Sequence, residues 1–94
     1  MVNPSLGPVG QEIEQRLVQA LHPTALAVIN DSAKHSGHMG DDGSGESHFT
    51  VELVSVAFVG KSRVARQRLV TYALADLLAE KVHALAIKAR APGE

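Results

Sequence analysis

Between His48 and Leu78 the apolar residues change period, from alternation to helical spacing, across a single glycine. Phe49, Val51 and Leu53 alternate with Thr50 and Glu52, the pattern of a strand with one buried face. After Leu53 the phase slips to Val54, Val56 and Phe58, which calls for either a bulge or a strand end running into a short helical turn. Gly60 then admits a backbone angle that a Cβ would resist, and Ser62 stands where a helix cap belongs. Beyond it Leu69, Val70, Ala73, Leu74 and Leu77 share one stripe of a helix that reaches Leu78. A half-buried strand joined to an amphipathic helix needs further strands beside it and a second helix over it.

The rest of the chain supplies them. Residues 1–8 read as a loose, flexible leader. Ile13, Leu17 and Leu21 recur at helical spacing while Glu12, Glu14 and Arg16 face out, so residues 9–21 form a helix, which His22-Pro23 ends. Leu26 to Ile29 is a short strand stopped by the turn formers Asn30, Asp31 and Ser32. Residues 33–47 hold four of the eight glycines and too little apolar surface to offset their ordering entropy, so a mobile loop is expected there, its acidic residues Asp41, Asp42 and Glu46 without fixed geometry. The last strand spans residues 82–90, with His83, Leu85, Ile87 and Ala89 on one face and Ala84, Ala86, Lys88 and Arg90 on the other. The order helix, strand, strand, helix, strand gives an α+β sandwich. Its first two strands pair as a hairpin across the glycine loop. The second and third run parallel through a right-handed helical crossover, so two helices cover one face of a three-stranded mixed sheet. The domain proper is expected over residues 9–92 of the 94.

Composition narrows the chemistry. With no cysteine, the chain has no disulfide, no thiolate nucleophile and no cysteine-ligated metal of its own, so soft-metal chemistry must use histidine or a partner's thiolates. A net charge of −1 does not recruit nucleic acid in bulk; only a local patch can. No stretch approaches the roughly 20 apolar residues of a membrane span, and the start of the chain lacks a signal-peptide pattern, so a cytoplasmic protein without membrane contact is expected. No nucleophile is paired with a base and no phosphate loop is present, so an enzyme is not expected.

Two clusters remain. Of the five histidines, His83 is the sharpest, in phase with Leu85 and Ile87 where the covered face of the sheet opens to solvent. It is either a half-buried structural imidazole or a metal ligand held on a rigid strand. His35 and His38 sit on the loop, and His48 begins the central strand and can face the same opening. His22 suits a helix end. The second cluster is Lys61, Arg63, Arg66 and Arg68 beside Gly60. Cations at a helix N-terminus work against the macrodipole, so either they form a solvated face or they meet phosphate, with Gly60 letting the backbone come close. No apolar patch that demands a partner is evident.

Taken together, Asn30-Asp31-Ser32, Glu46-Ser47-His48-Phe49, Val54-Ser55 with Phe58-Val59-Gly60-Lys61, Ala65-Arg66-Gln67-Arg68-Leu69-Val70 and Val82-His83-Ala84-Leu85 resemble the BolA family, of the histidine-loop type. Gln67 departs from the histidine that the family commonly carries between two arginines. The resemblance implies a class II KH-like α-β-β-α-β fold. It also implies a monothiol glutaredoxin as partner, with which such proteins share a bridged 2Fe–2S cluster whose other side is held by the glutaredoxin cysteine and glutathione. The protein would be a monomer when free, without cofactor, and a heterodimer in the complex. His83 would be one ligand and His35 the second, with His38 and His48 as alternates. The resemblance further implies transcriptional regulation through DNA, for which Gly60, Lys61, Arg63, Arg66 and Arg68 would form the surface.

Overall fold

A computed structural model describes residues 6–32 and 46–94. The first helix, α1 (Pro8–Leu21), opens on a proline, whose missing N–H costs nothing in the first turn. Its N-cap is Gly7, which has no side chain to bond the free N–H groups. Glu46 supplies the acceptor from elsewhere in the chain: the Gly10 N–H donates to its Oε2 at 2.9 Å. Any Cβ on Gly7 would lie 2.6 Å from that carboxylate, so glycine is what lets it approach. Leu6 is buried in the core, so packed structure begins ahead of residue 9 and the supposed leader is partly folded. The acidic residue expected to lack fixed geometry is in fact the cap of α1. The helix buries Ile13, Leu17 and Leu21 and ends at His22, whose N–H donates to the Val18 carbonyl at 3.0 Å and whose left-handed φ of 46° then turns the chain out of the helix.

Three strands, β1 (Ala25–Asn30), β2 (His48–Val54) and β3 (Ala84–Arg90), form one sheet in that order. The β1 and β2 strands are antiparallel and β2 and β3 parallel, so the sheet is mixed as expected. Register puts Leu53, Val51 and Phe49 opposite Leu26, Val28 and Asn30 on one side. On the other they lie beside Ala89, Ile87 and Leu85. This face is buried at Val28, Phe49, Val51 and Leu53 and half-buried at Leu26, Leu85, Ile87 and Ala89, with Asn30 exposed at its end, while Ala25, Ala27, Ala84, Ala86 and Lys88 on the other are exposed.

The phase slip after Leu53 is a strand end, not a bulge. Ser55 makes the corner: its N–H donates to the Arg90 carbonyl at 3.0 Å, its hydroxyl donates to the Leu21 carbonyl at 2.6 Å, and its oxygen accepts from the Ala57 N–H at 3.1 Å. One buried serine thus ties the ends of α1, β2 and β3. The following 3₁₀ turn, Val56–Phe58, drops Phe58 into the core with no exposure at all. Gly60 has φ of +73° with open space where a side chain would be, and the Ser62 hydroxyl caps the next helix by accepting from the Ala65 N–H at 3.1 Å.

That helix is two segments, α2 (Arg63–Ala73) and α3 (Ala75–Glu80), where the apolar stripe suggested one. The break falls at Leu74, with φ −111° and ψ 13°, whose N–H is shared between the Val70 and Thr71 carbonyls. No glycine or proline marks it; Leu74 and Leu77 are both buried, and the change of direction brings both to the core. No helix among the described residues is long and apolar enough to cross a membrane.

Candidate functional site

At one end of the sheet three chain segments meet: Asn30-Asp31-Ser32 leaving β1, Ser47-His48 entering β2, and His83 ahead of β3. The short side chains at the end of β1 fold the backbone back on itself, the Ser32 N–H donating to Asn30 Oδ1 at 2.9 Å. This carries the Ser32 hydroxyl into the interior, where its oxygen accepts from the N–H groups of Ser47 at 2.8 Å and His48 at 3.1 Å. Thr50 reinforces the corner by donating to Asp31 Oδ2. Ser47, expected at the end of a mobile loop, is wholly buried. Its carbonyl accepts from the backbone N–H of His83 at 2.8 Å and of Ala84 at 3.3 Å. The parallel ladder therefore starts at the pair His48 and Ala84. His83 stands one residue outside β3 and is exposed, a correction to its expected place within the strand. The turn of the chain onto the Ser47 carbonyl is what lifts it out of the alternation.

The two imidazoles come together, their ring centroids 6.4 Å apart and tilted by 42°. His48 is 8% exposed, and its Nδ1 lies 2.7 Å from the Ser47 hydroxyl, which orients the ring. His83 presents its ring to solvent from a backbone fixed by hydrogen bonds. Among the described residues no group of three histidine, aspartate or glutamate side chains is placed to hold a metal ion. The corner thus brings two imidazole side chains together, fewer donors than a closed metal site requires. His35 and His38 lie outside the described residues, as does most of the glycine loop. Ser32→Ala is expected to cost about 1–3 kcal/mol, because it removes the acceptor that two buried N–H groups share. Chemical denaturation checks this, and an unchanged midpoint would show that the hydroxyl does not organise the corner.

The basic cluster is divided by the fold. Lys61, Arg63 and Arg68 are exposed around the Gly60 turn, joined by the exposed apolar side chains Val56, Val59 and Val64, which sequence reading did not single out. Arg66 is different. Its Nε donates to the Lys61 carbonyl at 3.0 Å and its guanidinium forks onto Glu94, with Nη2 to Oε2 at 2.7 Å and Nη1 to Oε1. Glu94 also accepts from the Ala91 N–H at 3.0 Å. Hydrogen bonding to Arg66 pulls the Glu94 carboxyl from 4.5 to about 2, helped by the Ala91 N–H and the charges of Arg66 and Arg90. The contact is therefore complete above the ordinary carboxylate range and is lost only as pH falls toward 2. The segment after β3 is therefore a built contact.

Comparison with known proteins agrees with this architecture. A family model described as BolA-like protein matches residues 17–94. The chain is 47% identical over 89 residues to BolA-like protein 1 of Bos taurus, covering 95% of this chain and 63% of that protein. It is 48% identical over 75 residues to a protein of Vibrio cholerae named DNA-binding transcriptional regulator BolA, covering 80% of this chain and 67% of that one. Among solved structures, the BolA domain of SufE1 from Arabidopsis thaliana superposes with a TM-score of 0.84 at 41% identity, covering 94% of this chain and 96% of that one.

Proposed function

The chain belongs to the BolA-like family, and on that footing we propose that it is a binding protein supplying half of a 2Fe–2S site whose other half comes from a monothiol glutaredoxin with glutathione. The observation that carries this reading is the corner at the start of β2 and β3, where two imidazoles sit together without the further ligands that would close a site among the described residues. A chain without cysteine suits that role, since the thiolates come from the partner. The cluster, when bound, is cargo to be held or passed on, in cluster trafficking or iron sensing. His83 supplies one nitrogen from an exposed position that a docking partner can reach, and His35 the second, with His38 and His48 as alternates. Ser47 holds the backbone of His83 in place and orients the ring of His48. The test is visible circular dichroism of the protein mixed anaerobically with a monothiol glutaredoxin, glutathione, iron and sulfide. A spectrum distinct from that of glutaredoxin alone supports the reading; a spectrum of the glutaredoxin species only refutes it.

A second reading, a DNA-binding regulator, draws on the exposed Lys61, Arg63 and Arg68 around a Gly60 backbone with open space before it. The name of the Vibrio cholerae relative points the same way. Under this reading Arg63→Ala weakens duplex binding across sequences and reduces the slope of log affinity against log salt by about one, which titrations at several salt concentrations would show. A wild-type affinity that does not change with salt excludes it.

A further inference from the structure

Along the edge strand β3, facing α2, runs a cleft of about 350 Å³ bordered by Arg63, Arg66 and Gln67 on the helix and by residues 87–90 on the strand. Four of these seven residues, Arg63, Arg66, Lys88 and Arg90, are cationic. Lys88 meets Glu52 at a loose 3.7 Å across the sheet, and Arg66 is engaged by Glu94. The surplus of positive charge in so small a cleft does not stabilise the domain, because like charges on neighbouring elements repel one another. A bound anion relieves that repulsion, and an Arg fork is shaped to take one through two parallel N–H bonds.

One cation of the cleft already engages an anion. The Glu94 carboxylate lies on the Arg66 fork and close enough to Arg90 to feel its charge. Arg66 is oriented for it by the Lys61 carbonyl, so the fork is aimed before any ligand arrives. Glu94 follows Gly93, whose φ of +86° turns the chain back toward α2. The Glu94 side chain is 45% exposed, so an anion from solvent can reach the pair and compete for the Arg66 fork.

We propose that the cleft between α2 and β3 binds phosphate oxyanions, and that Glu94 is a built-in competitor for its Arg66 fork, from which a ligand must lift it. Phosphate is favoured over a single carboxylate because the Glu94 carboxylate and Glu52 still leave Arg63 and Arg90 without an ion-pair partner of their own among the described residues. Two sources carry this chemistry, a nucleic-acid backbone and a free polyphosphate. The first rests on the DNA-binding reading given above, whereas the second does not.

Binding of tripolyphosphate and of a short duplex DNA is measured at low salt for the wild type, Glu94→Gln, Arg66→Gln and Glu80→Gln, with the Arg66 Nε–H resonance followed by NMR. Glu80 is exposed on α3, so its variant removes the same charge without touching the cleft. The expected result is that Glu94→Gln binds at least one probe about fivefold more tightly or better, that Glu80→Gln does not, and that Arg66→Gln abolishes the gain. The Arg66 resonance shifts on binding. A gain with tripolyphosphate alone identifies free polyphosphate as the source and leaves the DNA-binding reading to its own salt titration. A gain with the duplex assigns the nucleic-acid backbone. Equal affinities for wild type and Glu94→Gln with both probes, or equal gains for Glu94→Gln and Glu80→Gln, overturn the proposal.

Discussion

His83→Ala is expected to fold like the wild type and to abolish the mixed-cluster circular dichroism altogether. The two halves of that expectation come from different parts of one residue. Folding uses the His83 backbone, whose N–H donates to the Ser47 carbonyl, and alanine keeps that N–H. Cluster sharing uses the imidazole, which is exposed and which alanine lacks. A metal ligand taken from a site already short of donors cannot be replaced by a neighbour without moving the backbone. His48 is the nearest candidate, but its Nδ1 is held by the buried Ser47 hydroxyl at 2.7 Å and its ring is buried. The measurement is the same anaerobic titration, run for His83→Ala, His35→Ala, His38→Ala and His48→Ala beside the wild type, with thermal melting as the control on folding. If the His83 variant melts normally and still gives the wild-type spectrum, the assignment of this ligand is wrong. If one of the other three variants also loses the spectrum, it names the second ligand.

Phe58→Ala has the largest expected effect on stability, about 3–5 kcal/mol. The side chain is completely buried, and it enters the core from a single 3₁₀ turn that has few other anchors. The Phe58 N–H donates to the Ser55 carbonyl at 3.1 Å and its own carbonyl accepts from the Lys61 N–H at 3.1 Å, so the ring and the turn hold each other. A domain of this size has roughly 5–15 kcal/mol in total, and each kcal/mol moves the melting temperature by about 4–8 °C. The variant should therefore melt lower by roughly 15 °C or more, with the Gly60 turn and its basic residues loosened first. Amide exchange across residues 56–62 would show that order. A loss below about 1 kcal/mol would mean that the turn packs independently of the ring.

Much of this architecture is written in local spacing. The alternation of Phe49, Val51 and Leu53 gives β2 and its buried face, and the repeat of Ile13, Leu17 and Leu21 gives α1. Ser62 and Gly60 act within a few residues of themselves, so their roles are readable where they stand. The break at Leu74 is not readable, because it answers to where the core lies and not to any nearby breaker. Glu46 reads in the sequence as part of a structureless acidic segment because the helix residue it caps, Gly10, lies 36 residues earlier in the chain. The histidine cluster was legible as a set of residue types, but its geometry was not. Sequence put His83 in phase with Leu85, whereas Ser47, a residue assigned to the loop, draws the chain out of the strand at that point.

The sequence by itself therefore determined the order of elements, the buried face of each, the absence of thiolates and the residues from which any site must be drawn, since all of these depend on side-chain type and on contacts a few residues apart. Only the tertiary structure decided which of those residues meet. Ser32, Ser47, His48 and His83 converge because an antiparallel and a parallel strand pair share one end of the sheet. Glu94 reaches Arg66, 28 residues away, because α2 packs beside the strand that precedes it. Such contacts join positions whose separation along the chain carries no periodic signal, so register and packing alone place them.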